Sequence, residues 1–149
     1  MIRDQSAARH SALAMLAQRE HSVTELRRKL LSKGFAATDV EPLLITLIQA
    51  DWVSDARFTE LYTAQRARQG IGPLRIREEL RQRGIDDAAI AAALAVYAET
   101  WQENASRVRV KRFGEEVPRD LKTRARQSRF LAYRGFSTDH IRAALRLKA

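Results

Sequence analysis

Cysteine is absent from all 149 residues, which excludes a disulfide framework, a thiolate nucleophile and a cysteine-ligated metal. No apolar run approaches the roughly 20 residues needed to span a bilayer, and the start, Met1-Ile2-Arg3-Asp4-Gln5-Ser6, lacks the apolar stretch of a secretion signal. A cytoplasmic protein is therefore expected. Strand-like alternation is missing and turn dipeptides are few, which argues for an all-α fold. Catalytic patterns are missing as well. The three histidines, His10, His21 and His140, have no metal-ligand spacing, and there is neither an HExxH pair nor a nucleophile elbow. Glu78-Glu79 and Asp86-Asp87 read as solvated helix residues. Neither an enzyme nor a cofactor is expected.

What the chain does have is a cassette repeated three times. The copies read Leu26-x3-Leu30-x2-Lys33-Gly34-Phe35-x4-Val40-x3-Leu44, Ile76-x3-Leu80-x2-Arg83-Gly84-Ile85-x4-Ile90-x3-Leu94, and Gln127-x3-Leu131-x2-Arg134-Gly135-Phe136-x4-Ile141-x3-Leu145. Their glycines are offset by 50 and 51 residues, a period that belongs to tandem helical repeats. In each copy the glycine stops one helix in the left-handed conformation and the next residue folds back into the core. Ser22 with Glu25 predicts a capping box. Pro42 is expected in a first turn, and Pro73 at a first helical position. The third copy is expected to start near Pro118 and to end in a helix capped by Ser137 that runs to Leu147. Another helical stretch precedes each cassette. The expected fold is thus all-α: an elongated, curved array of three tandem three-helix repeats, over 1–52, 53–102 and 103–149. Such a stack leaves no obvious self-complementary face, so a monomer is expected. A hydrophobic content of 45% supports a packed interior.

The net charge of +9 is uneven. Residues 101–149 hold 13 Lys/Arg against 5 Asp/Glu, whereas 51–100 hold 7 against 8. This asymmetry points to a polyanion or an acidic protein face, and weak direct DNA binding is expected. Within 118–133, Arg119, Lys122, Arg126 and Arg129 fall in an arc of roughly 80° at ~100° per residue, with Tyr133 in the same arc. A cationic stripe with an aromatic edge suits phosphates and stacked bases. It suits an acidic protein groove equally. Leu121, Ala125, Ser128 and Ala132 form a more apolar side. Arg107, Arg109, Lys111 and Arg112 make a second basic cluster, and Arg68, Arg75 and Arg77 flank a Gly-Ile-Gly-Pro corner that lacks a phosphate-loop pattern.

The chain resembles the RecX family, bacterial regulators of the RecA recombinase, over about 11–147. The second repeat carries most of the resemblance: Asp55-x2-Phe58, Arg66, Arg68, Gly70-x-Gly72-Pro73-x-Arg75-Ile76-x2-Glu79-Leu80-x2-Arg83-Gly84-Ile85. Arg129-Phe130-Leu131-x2-Arg134-Gly135-Phe136 is similar to the family's C-terminal ending. Gln127 departs from the pattern, since the other two repeats have an apolar residue there, and the N-terminal region is short. The resemblance implies a curved stack of three-helix repeats. It also implies binding along the RecA filament on single-stranded DNA, with suppression of ATP hydrolysis, strand exchange and co-protease activity, and no catalytic residue or cofactor. Two other functions fit the repeats: a helix-turn-helix DNA regulator or a plain helical scaffold. The helices after Gly34 and Gly84 contain no Lys or Arg across 36–49 and 86–99, which argues against a recognition helix in a major groove.

Overall fold

The computed structural model describes residues 5–147, and among them every regular element is helical. The elements are α1 (Gln5–Gln18), α2 (Val23–Ser32), α3 (Ala37–Gln49), α4 (Asp55–Arg68), α5 (Pro73–Gln82), α6 (Asp87–Ala95), α7 (Trp101–Phe113), α8 (Leu121–Tyr133) and α9 (Thr138–Ala144). They group as three three-helix units in chain order, each helix packing mainly within its own unit. The chain exposes 9570 Å², against roughly 7,700 Å² for a compact protein of this mass, an excess that accompanies an extended array.

The local signals operate as their chemistry dictates. Ser22 Oγ accepts from the Glu25 N–H at 3.0 Å while the Ser22 N–H donates to Glu25 Oε1 at 3.1 Å, a complete capping box. Gly34, Gly84 and Gly135 have φ of 96°, 81° and 99°. Around each, the paired main-chain bonds of a Schellman ending form, as in Phe35 N–H to Leu30 O and Gly34 N–H to Leu31 O. The residues after these glycines, Phe35, Ile85 and Phe136, are buried. Asp86 and Ser137 cap α6 and α9, and Pro73 opens α5.

Four details differ from expectation. Pro42 lies in the second turn of α3, one turn past where its missing N–H is harmless. α8 starts at Leu121, because Asp120 rather than the Pro118 region supplies the cap, accepting from the Thr123 N–H at 2.9 Å. α9 ends at Ala144, not Leu147, where a side chain from α7 takes the Ala144 carbonyl. α7 begins at Trp101, so the boundary expected at 102 falls inside a helix.

The second helices of the units, α2, α5 and α8, meet end to end. The start of α2 sits on the end of α5: Ser22 Oγ donates to Arg83 O at 2.8 Å, and Arg28 to Gln82 O at 2.8 Å. The start of α5 sits on the end of α8 through Gly72 N–H to Arg134 O at 2.7 Å and Leu74 N–H to Gly135 O at 2.9 Å. A side chain at residue 72 would run into the Gly135 backbone, so this approach requires glycine. Orphan carbonyls at one helix end are satisfied by donors at the next helix start.

The apolar interior is not continuous. Ala8, Ala12, Leu26, Leu30, Val40, Leu44, Leu47 and Val53 form one cluster inside the first unit. Phe58, Ile76, Leu80, Ile90, Trp101, Leu131 and Phe136 belong to a second cluster shared by units two and three. The junction of units one and two is polar. Val23 N–H donates to Asp55 Oδ1 at 2.8 Å, and Arg57 pairs with Glu20 at 2.6 Å.

Candidate nucleic-acid interface

The basic surface is built from α4, α7 and α8. On α8 the buried side is carried by Gln127 and Leu131. The opposite side carries Lys122, Arg126, Arg129 and Tyr133, all exposed. At ~100° per residue these four fall within about 60° of each other. Tyr133 is 74% exposed and Arg75 of α5 lies over its ring, 5.3 Å from the centroid, so the stripe continues onto the second unit. Arg119 precedes the Asp120 cap, so it is exposed but off the helix, and the expected four-cation stripe keeps three members. The side read as more apolar is not the packed one: Leu121 is 85% exposed, and Ala125 and Ala132 are exposed too.

A cleft of about 340 Å³ lies beside this stripe, between α4 and α7, with α8 at its floor. Arg68, Arg107, Lys111, Arg112 and Arg134 line it, together with Phe130, Val108 and Asn104, and no carboxylate does. Arg134 donates to Gln69 O at 3.2 Å, and its guanidinium sits 5.1 Å from the Phe130 centroid. Arg112 lies 5.7 Å from the same centroid, and Phe113 meets Phe130 edge-on at 5.3 Å. These cation–π contacts hold two guanidiniums in place without neutralising them. Among the described residues, Arg107 is the one lining cation in an ion pair, with Glu103 at 3.8 Å on an exposed i,i+4 pair, a contact of little strength.

Arg109 does not belong to this surface. It is 3% exposed and its guanidinium faces inward, donating to the carbonyls of Ala144, Glu115, Glu116 and Gly114 at 3.1–3.4 Å and to Gln127 Oε1 at 3.5 Å. This explains the departure at Gln127. Leu26 and Ile76 face apolar interiors at the equivalent positions, whereas Gln127 faces a buried cation and accepts from it.

The arginines at the corner between α4 and α5 divide in the same way. Arg68 and Arg77 are exposed and have no ion pair among the described residues. Arg75 is half-buried and shared between Tyr133 and Glu79, at 3.3 Å from the latter. Glu79 is not a solvated residue. Its carboxylate accepts from Arg66 Nε at 2.9 Å, Arg66 Nη2 at 2.8 Å and the Tyr62 hydroxyl at 2.9 Å. Burial alone would raise its pKa, but the hydrogen bonds from Arg66 and Tyr62 outweigh it and hold the carboxyl below the usual range. Glu79 thus anchors α4 to α5 and sets where Arg75 can reach.

Sequence reasoning missed Phe130 and Arg134 as cleft residues. Arg134 reads as a last-turn cation that could share a face with Lys33 and Arg83, and Phe130 enters only through the C-terminal motif Arg129-Phe130-Leu131; neither pattern points to a cleft. Among the described residues no cluster of His, Asp or Glu could hold a metal, and no helix is long and apolar enough to cross a membrane.

Comparisons with known proteins place these features in a family context. Sequence models of the first, second and third three-helix domains of RecX match residues 8–45, 54–94 and 99–145. A protein from Pseudomonas syringae pv. tomato named Regulatory protein RecX is 43% identical over 135 residues, covering 91% of this chain and 87% of its own. One of the same name from Stenotrophomonas maltophilia is 44% identical, covering 91% and 83%. The crystal structure of RecX from Lactobacillus salivarius superposes with a TM-score of 0.80 at 23% identity, covering 95% of this chain and 94% of that one. At that identity the likeness speaks for the fold alone.

Proposed function

The chain belongs to the RecX family, and from that premise we propose that it is a non-enzymatic regulator of the RecA recombinase, acting in the cytoplasm as a monomer. It binds the RecA filament on single-stranded DNA and suppresses ATP hydrolysis, strand exchange and co-protease activity. The observation that carries the reading is the basic surface formed by Lys122, Arg126 and Arg129 on α8, none of them in an ion pair among the described residues, and by the cleft beside it, which no carboxylate lines. A nucleoprotein filament offers phosphates and acidic grooves along its length, and such a surface gains both on-rate and register from them. An extended array can follow the filament while its basic third contacts phosphate. The helix-turn-helix alternative is weaker, because α3 and α6 carry no cation, and α3 exposes Ile45 and Ile48 while Val96 is exposed just past the end of α6.

The test is a titration of the protein into RecA assembled on single-stranded DNA while ATP hydrolysis is followed. Wild type is expected to inhibit. The variant Lys122→Glu/Arg126→Glu/Arg129→Glu is expected to inhibit far less while melting normally, since exposed substitutions cost within about 0.5 kcal/mol each. Failure of wild type to inhibit at any concentration would sink the regulatory reading. Equal inhibition by both would remove the stripe from it.

A further inference from the structure

We propose that the cleft between α4 and α7 is a phosphodiester site for single-stranded nucleic acid, and that a strand held there ties the second and third units together. The proposal deepens the filament reading at one place, but its test needs only the isolated protein and so fails separately.

Five cations converge on the cleft from three helices, with no acid among its lining residues. Arg68 and Lys111 are exposed and form no ion pair among the described residues. Like charges gathered at close quarters repel, and an anion in the cleft relieves that repulsion. Four of the five cations are arginines, whose planar forks match phosphate oxygens two at a time. A single carboxylate neutralises one of the five, whereas successive phosphates along a strand neutralise several. The floor, Phe130 and Val108, is apolar and suits the sugar and the base edge. The guanidiniums of Arg112 and Arg134, already aligned over Phe130, offer flat surfaces for a base. A recess of about 340 Å³ admits the backbone of one flexible strand, whose unpaired bases are free to stack on these surfaces.

The cleft also spans a junction. Arg68 comes from the second unit and the other four cations from the third. The two sides already touch, through Arg134 on Gln69 O and through Gly70, where an added Cβ would come within 2.9 Å of Val108. Phosphates bridging Arg68 to Arg107 and Lys111 add a further link across that junction, so an occupied cleft holds the two units at a narrower range of angles.

The experiment measures binding of a fluorescently labelled oligo-dT across a salt series. Arg68→Glu/Lys111→Glu is compared with Arg9→Glu/Lys33→Glu, an equal charge change on exposed residues of the first unit. The cleft variant is expected to lower the slope of log K against log salt by about 1.4, since each phosphate contact contributes about 0.7 for a single strand. The control is expected to keep the wild-type slope. Equal loss in both variants means that binding follows net charge and overturns the site. No binding of oligo-dT by wild type overturns it as well. Polyglutamate displacing oligo-dT at equal charge concentration overturns the phosphate assignment, and ADP binding as tightly as oligo-dT overturns the strand assignment in favour of a free nucleotide. For the bridging, the cysteine-free chain accepts spin labels at Gln82→Cys and Arg142→Cys. Oligo-dT is expected to narrow their distance distribution in wild type and not in the cleft variant, and an unchanged distribution in wild type overturns the tie. If these results hold while RecA hydrolysis is unaffected, the filament reading alone falls.

Discussion

Replacing Arg109 by methionine tests whether this cation is structural. Its guanidinium satisfies five acceptors. Three of these, the carbonyls of Gly114, Glu115 and Glu116, belong to exposed residues and can turn to water. The other two, Ala144 O and Gln127 Oε1, belong to buried residues. A buried acceptor left without a partner costs about 1–3 kcal/mol. Methionine recovers about 1 kcal/mol by packing its apolar chain in the vacated space. The net loss is about 3 kcal/mol, which for a chain of this size lowers the melting temperature by roughly 6–12 °C. Thermal unfolding followed by circular dichroism reads this directly. Arg107→Met, two residues away and exposed, should move the midpoint by no more than about 2 °C. Adding Gln127→Leu to Arg109→Met should recover part of the loss, because the unpaired amide goes and a side chain like those at Leu26 and Ile76 takes its place. A melting point for Arg109→Met within 2 °C of wild type, on the same scale, would refute the reasoning and return Arg109 to the list of surface cations.

Two further outcomes follow from the repeat junctions and from a buried histidine. Gly34→Ala should cost about 1–2 kcal/mol for its left-handed backbone alone, since nothing lies within 4 Å of an added Cβ. Gly84→Ala should cost clearly more because its Cβ runs into Thr24 of α2, and equal melting points for the two would contradict the end-to-end contact. His21 is 1% exposed, with Nδ1 bonded to Arg19 O at 3.0 Å and Nε2 facing Lys29 Nζ at 2.9 Å. The contacts fit a neutral ring that donates from Nδ1 and accepts at Nε2. Burial first, and the charges of Arg19 and Lys29 with it, push its pKa below 6.5 against the opposing pull of the Arg19 carbonyl and Glu25. The unfolded chain then takes up the proton first as pH falls. Stability from this site is complete above about 6.5 and is lost as pH drops through the folded value. Denaturant midpoints for wild type should fall below pH 6.5 by more than those of His21→Gln, and a midpoint gap that does not change with pH would refute the assignment.

Much of the fold was legible because its signals are local. The Schellman endings at Gly34, Gly84 and Gly135, the Ser22–Glu25 box, the Ser137 cap and the Pro73 start all depend on atoms within five residues of one another. Where two local signals competed, the reading slipped: Asp120 is a stronger cap than the Pro118 region, so α8 starts late and Arg119 falls outside it. Glu79 looked solvated because its partners Tyr62 and Arg66 stand 17 and 13 residues away, on another helix.

The sequence by itself determined the helical repeat, its period, the positions of its turns and the concentration of positive charge in the last third. All of these are properties of neighbouring residues or of composition. Only the tertiary structure decided which of the cations are available. Arg107 and Arg109 are two apart on one helix, about 200° around the axis at ~100° per residue. Packing of α7 against α9 turned one inward onto Ala144 O and left the other on the rim of the cleft. Likewise Arg68, Lys111 and Arg134 lie far apart in the chain and meet only because α5 starts on the end of α8 and brings α4 alongside α7. Charge count is additive along a sequence, whereas convergence of charges depends on how the helices are placed, and that is set by long-range contacts no local pattern encodes.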